Sequence, residues 1–221
     1  MGSVIGQILG FAIGVAISPV PVVAVILMLF SKSAAKNSVS FAVGWILGLS
    51  VVGLLVLALG VTISDSDESD AAGVVKLLIG LLFVALAVKQ WKGRPADGEA
   101  AQMPGWMNSI DSFTAGKSLG FGFLMAAVNP KNLGLTIAAA ATIGAAGLDT
   151  SNEIVTLVVY VLIASVTIIL PVGAYLILGD RADAPLTTAK QWLIDNNNTV
   201  MSVLFVVLGF KLIGDALTVL L

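Results

Sequence analysis

The chain has 221 residues, 58% of them hydrophobic and 11% charged, with a formal net charge of −2 and a mean hydropathy of +1.04. A soluble domain carries about 25% charged residues, so most of this chain belongs in lipid, and no stretch is both long and polar enough to form a separate soluble domain. There is no cysteine and no histidine, which excludes disulfides, thiol redox chemistry, histidine metal sites and histidine acid–base catalysis.

Apolar runs long enough to cross about 30 Å of hydrocarbon fall at roughly 4–30, 38–62, 73–91, 117–147, 153–179 and 199–221. The residues before Val4 carry no Lys or Arg and the run continues past signal-peptide length, so the first helix is expected to stay in the mature protein. The first, fourth and fifth runs exceed the ~20 residues a straight span needs, which predicts tilt, a kink or a break. Pro19 and Pro21, Pro130, and Pro171 supply the physical reason in these three.

Two of these interruptions are matched. Ser18-Pro19-Val20-Pro21 and Asn129-Pro130-Lys131-Asn132 lie 111 residues apart, each about half-way through its run. Non-helical backbone at that depth is tolerated only where protein buries it or where it lines a cavity, and paired breaks in two halves point to a transporter's binding site.

Eight cations border one set of loops: Lys32, Lys36, Lys89, Lys92, Arg94, Lys117, Arg181 and Lys190. The alternate loops hold Asp65, Asp67, Glu68, Asp70, Asp149 and Glu153, with Lys76 as their one cation. Because cytoplasmic loops collect Lys and Arg, both termini are expected to face outward. The Gly- and Pro-rich stretch 93–116 reads as a linker between halves 1–92 and 117–221. Within it Trp106, Met107, Ile110 and Phe113 recur at helical spacing, as do Leu186, Ala189, Trp192 and Leu193 after Pro185. Both stretches are expected to be short amphipathic helices at the cytoplasmic surface.

The sequence Leu81–Lys89 matches Val203–Lys211 at five of nine positions, an offset of 122 residues. With the proline breaks, this argues for a repeat of three spans. Three is odd, so the second half inserts upside down and substrate is expected between the halves. The expected fold class is an all-α integral membrane protein of six transmembrane helices in two inverted three-helix repeats, with spans one and four broken.

Lys131 is the sharpest candidate for chemistry. A lysine this deep costs several kcal/mol unless it faces a cavity or partner. Asn129 and Asn132 flank it with amide donors and acceptors, and free backbone N–H groups at the restarted helix would favour an anionic ligand group. The alternative is a lysine that pairs internally or snorkels to hold the halves together. Ser18 would cap the opposite half-helix, with Pro19 and Pro21 opening it for packing or for a ligand. Lys211 and Asp215, four residues apart on span six, are spaced to pair, either structurally or to couple the site. Gly44-x-x-x-Gly48 permits close helix contact, so intramolecular packing and a homodimer both stay open. No carboxylate pair at catalytic spacing, phosphate-binding loop or nucleotide motif is present, so no enzyme activity, cofactor, metal or nucleic-acid partner is expected.

Several motifs together resemble one family: Ser18-Pro19-Val20-Pro21, Phe41-x-x-Gly44-Trp45-x-x-Gly48-Leu49, Lys89-Gln90-Trp91-Lys92-Gly93-Arg94-Pro95, Asp111-x-Phe113-Thr114-x-Gly116-Lys117, Val128-Asn129-Pro130-Lys131-Asn132 and Lys211-Leu212-Ile213-Gly214-Asp215. Over essentially its whole length the chain resembles the Gap, or sulfolipid-1-addressing-protein-like, family of bacterial membrane proteins within the lysine-exporter (LysE) superfamily. The resemblance implies a multi-pass protein of the bacterial plasma (inner) membrane, exporting or addressing lipid-linked envelope material, with membrane lipids and an envelope-export partner as its company. A secondary exporter of a lipid-linked or small amphiphilic substrate is the reading adopted, with Ser18, Pro19, Pro21, Asn129, Pro130, Lys131 and Asn132 at the substrate and Lys211, Asp215 and Pro171 in support. The alternatives are a non-transporting accessory subunit of an envelope-lipid export machine, or an amino-acid exporter.

Overall fold

Serines, asparagines and prolines decide where the helices stop. The computed structural model describes residues 1–60, 70–94, 109–110 and 112–220. Among these, nine α-helices follow one another: α1 (Gly2–Ala16), α2 (Pro19–Leu29), α3 (Ala34–Ala58), α4 (Asp70–Lys92), α5 (Ala115–Ala127), α6 (Pro130–Ala145), α7 (Thr150–Ala164), α8 (Val166–Leu178) and α9 (Asp183–Leu220), with a 3-10 turn at Gly179–Ala182 before the last. The acidic stretch 65–68, and Trp106 and Met107 of the anticipated linker helix, lie outside the described residues.

α3 and α9 (over Asp183–Thr218) are each long and apolar enough to cross a membrane. Two bent pairs raise the number to four by length and composition: α1 with α2, bent by 54°, and α7 with α8, bent by 63°. Large apolar side chains crowd the outside, among them Leu55, Leu59, Leu162, Leu170, Ile177 and Phe210. Water does not tolerate so continuous an apolar surface, whereas lipid does. The fold is that of an all-helical membrane protein.

Two compact units are present. One comprises Met1–Ile63 and Met103–Gln191, the other Ser64–Gln102 and Trp192–Leu221. In the first, α3 packs on α5 and α6, α1 on α6 and α7, and α2 on α3 and α8. The α3–α5 seam is the closest. A Cβ on Gly44 would collide with the Leu119 carbonyl, and one on Gly122 with the Phe41 carbonyl. Small residues are what let two backbones approach so closely. Beside the seam the rings of Phe41, Phe121 and Phe113 form a chain, with centroids 6.1 and 5.5 Å apart, and the Asn37 amide donates to the Phe113 carbonyl at 2.9 Å. Ile110, expected on an interfacial face, is buried. At the start of α7, Asp149 accepts from the Asn152 amide at 3.1 Å. Its bonds from Asn152, backbone first, hold the carboxyl below the usual range.

The second unit is a hairpin of α4 and the C-terminal half of α9. Going up α4, Gly80, Phe83 and Ala87, then Gly93 just past its end, meet Gly209, Phe205, Ser202 and Asn198, going down α9. The order makes the pair antiparallel. α9 also corrects an expectation: Leu186, Ala189, Trp192 and Leu193 belong to one unbroken 38-residue helix, not to a separate interfacial one. No proline or glycine lies between Pro185 and Gly209 to stop it, and Asn196 folds its amide back onto the Trp192 carbonyl.

Candidate functional site

The first break falls at Ile17–Ser18, between α1 and α2. Ser18 occupies the N-cap position but caps nothing, contrary to expectation. An N-cap side chain serves the amides of the second and third helical residues; the third is Pro21, which has none, so only the Val20 amide is left to compete for the hydroxyl. The Ser18 hydroxyl is therefore free to point elsewhere. It donates to Asn132 Oδ1 at 3.0 Å and accepts from the Lys131 ammonium at 2.7 Å.

The second break lies between α5 and α6. Asn129 caps α6 by accepting from the Lys131 amide at 3.1 Å. Pro130 takes the first helical position, where its missing N–H costs nothing. Fewer free amides remain here than the sequence led one to expect, so the positive charge of this break rests on the Lys131 side chain. Lys131 Nζ reaches across to the Ile17 carbonyl at 3.0 Å as well as to Ser18. Asn132 is fully buried, donates to the Met125 carbonyl at 3.0 Å and so ties the end of α5 to the start of α6. The two breaks, 111 residues apart in sequence, thus meet through Ser18, Lys131 and Asn132.

A third break joins them. α7 ends at Ala164 and α8 starts at Val166, with Ser165 as the junction, inside the fifth predicted span. Pro171 lies within α8. A proline clashes with the carbonyl four residues back, here Thr167, and bends the turn before it. That turn lies beyond Ser165, so Pro171 is not itself at the break. Thr167 Oγ1 donates to the Ala16 carbonyl at 2.7 Å, at the end of α1. The Ser165 hydroxyl is buried and has no hydrogen-bond partner among the described residues.

Sequence reasoning missed Thr136, Tyr160, Ser165 and Thr167. Thr136 donates to the Asn132 carbonyl at 2.7 Å, and its oxygen lies 3.0 Å from the Tyr160 hydroxyl; both residues are fully buried. The available signal was Tyr160 itself, because a phenol in an apolar span needs a partner. Interhelical hydrogen bonds in membranes average about 0.6 kcal/mol and reach about 1.7. Tyr160→Phe is therefore expected to lower the stability of the detergent-solubilised protein within that range, read as a small fall in thermal midpoint.

Lys211 and Asp215 lie in the second unit and pair with each other at 2.6 Å, with side chains 52% and 41% exposed. Each charge on an apolar helix costs about 2.5–3.5 kcal/mol by insertion scales, so the pair matters chiefly by cancelling. Lys211→Met alone should destabilise the protein more than Lys211→Met with Asp215→Leu. A double-mutant cycle on thermal midpoints measures this, and additive effects would refute it.

Among the described residues no group of three or more acidic side chains is placed to hold a metal. No curated protein and no solved structure matches the chain. A family profile does, under the description "Sap, sulfolipid-1-addressing protein", over residues 8–218. With nearly its whole length matched, and with the breaks and motifs described above, this chain belongs to the sulfolipid-1-addressing protein (Sap) family.

Proposed function

We propose that this protein is a secondary transporter in the bacterial inner membrane that moves an amphiphile with an anionic head group outward. The carrying observation is Lys131: its ammonium sits at a helix break and its two hydrogen-bond acceptors, the Ile17 carbonyl and the Ser18 hydroxyl, are both neutral. A half-buried cation in an apolar span is expensive without a counter-charge, and an anionic head group would relieve that cost. Ser18, Asn129 and Asn132 supply polar atoms around it, with Pro19, Pro21 and Pro130 keeping the backbone open. The family description concerns a sulfolipid, and a lipid with a sulfur oxyacid head group is such an anion. We read the chain as non-enzymatic and as a member of the wider lysine-exporter superfamily.

Six spans in two inverted repeats, 1–92 and 117–221 about the linker 93–116, with both termini outward, complete the reading. Helix pairing supports it. Exchanging α1 with α5, α2 with α6, and α3 with α7–α8 carries the contact α3–α5 onto α7–α1, α3–α6 onto α8–α2, and α2–α3 onto α6–α7; these six contacts are present, whereas α1–α6 has no comparable counterpart in α2–α5. The α4–α9 hairpin behaves alike under the sequence offset of 122 (203 − 81). That offset carries Gly80–Gly209 onto Ser202–Ala87, and Phe83–Phe205 onto itself.

The test is flux of a fluorescent alkyl sulfate by the purified protein in phosphatidylcholine liposomes, with and without Lys131→Ala. Flux that depends on Lys131 supports the transporter. No flux from active-folded protein, combined with altered surface lipids in a deletion strain, would instead favour an accessory subunit of an export machine. Unchanged lipids with sensitivity to a dipeptide load would favour an amino-acid exporter.

A further inference from the structure

The charge inventory of the site also bears on what drives transport. Among the described helices of the first unit that lie in the apolar runs, α1–α3 and α5–α8, the single carboxylate is Glu153. It lies in the first turn of α7, two helical turns before Tyr160. The remaining titratable groups on these helices are Lys36 on α3, Lys117 near the start of α5, Tyr160 on α7 and Tyr175 on α8. Tyr160 is engaged with Thr136. The acceptors that Lys131 Nζ touches are the uncharged Ile17 carbonyl and Ser18 hydroxyl. The empty site therefore carries one positive charge, and a site loaded with a monoanion carries none.

We propose that the membrane potential itself drives export of the monoanion, with Lys131 making the loaded site neutral and the empty site cationic, so that the return of the empty site is the step that carries the charge. The inference rests on the anionic cargo proposed above. When access changes from inside to outside with cargo bound, no net charge crosses the field. When the empty site returns, one positive charge moves toward the negative interior, which the potential favours. Summed over a cycle, one negative charge leaves the cell and Lys131 neither gains nor loses a proton. No coupling ion is required.

A unit charge crossing 100 mV is worth about 2.3 kcal/mol, and 1.4 kcal/mol is a factor of ten. At 100 mV, inside negative, a monoanionic cargo should therefore reach a transleaflet ratio of about fortyfold. The same site carrying a neutral cargo keeps its positive charge in both directions, so the cycle moves no net charge and no gradient should build.

The experiment uses the full chain in phosphatidylcholine liposomes, a potassium–valinomycin potential, and extraction of outer-leaflet probe by albumin. The probe is a fluorescent alkyl sulfate, with a fluorescent alkyl glucoside as the neutral comparison and protein-free vesicles as the blank. The expected result is protein-dependent outward accumulation of the sulfate that reverses with the sign of the potential and ignores a pH gradient at zero potential. The glucoside, if carried, should not accumulate. Lys131→Arg should keep the voltage-dependent accumulation, while Lys131→Met, which removes the charge that pairs with the sulfate, should abolish its flux and with it the accumulation. Sulfate flux that is indifferent to voltage, or that follows the pH gradient, overturns the inference and leaves the anion site standing. If the wild-type protein neither binds nor moves the alkyl sulfate, the anion site itself falls, and the inference with it. Voltage-driven accumulation that survives Lys131→Met would also overturn the role given to Lys131.

Discussion

Gly122→Ala is expected to destabilise the protein by about 1–3 kcal/mol, the usual cost of forcing a methyl group into a packed seam. The methyl group would meet the Phe41 carbonyl, with the Trp45 amide nitrogen 3.0 Å away. Both are backbone atoms of α3, and a helix backbone cannot swing aside as a side chain can. Gly44→Ala should behave alike from the other side, against the Leu119 carbonyl. Gly120 provides the contrast, for it sits in the same helix with nothing within 4 Å of an added Cβ. Gly120→Ala should be neutral or stabilising by about 0.4–1 kcal/mol, since alanine loses less backbone freedom on folding. Thermal midpoints of the three variants in one detergent decide the matter. If Gly122→Ala tracks Gly120→Ala, the tight α3–α5 seam is wrong. The seam also bears on the site, because α5 runs directly into the Asn129 break.

Lys131→Ala is expected to cut flux of an anionic amphiphile about ten- to hundredfold, the equivalent of losing one charge-assisted hydrogen bond worth about 1.5–3 kcal/mol. Stability should respond differently. The ammonium is held by two neutral acceptors, and removing a poorly compensated charge from an apolar region tends to be neutral or stabilising. A binding residue thus predicts flux lost with the thermal midpoint kept or raised. A lysine whose work is to staple α6 to the α1–α2 break predicts that both fall together. Measuring flux and midpoint on the same purified variant separates these two outcomes.

Much of this was legible in the chain. Ser18-Pro19-Val20-Pro21 and Asn129-Pro130-Lys131-Asn132 located two breaks to within a residue or two, because proline removes a donor and excludes the preceding helical turn locally. Lys131 and Asn132 stood out because polar groups are rare in an apolar run. The uncapping role of Pro21 was also written in the sequence, though the expectation that Ser18 would cap α2 overlooked it. Thr136 and Thr167 were not legible as site residues, and Tyr160 signalled only that its phenol needs a partner. Hydroxyls in apolar helices are common, and only their neighbours distinguish a satisfied one from a functional one.

Composition and the spacing of prolines by themselves determined that this is an all-helical membrane protein with broken helices and a lysine at one break. Those are local properties: hydrophobic length, backbone donors and the cost of charge in lipid act on each segment separately. Only the tertiary structure decided that three breaks meet, that the Ser18 hydroxyl turns to Asn132 and Lys131, and that the bend of the fifth apolar run falls at Ser165. These depend on which helices lie side by side, and in lipid that choice rests on close glycine packing and interhelical hydrogen bonds. Apolar periodicity cannot encode it, because lipid and a neighbouring helix are equally apolar partners.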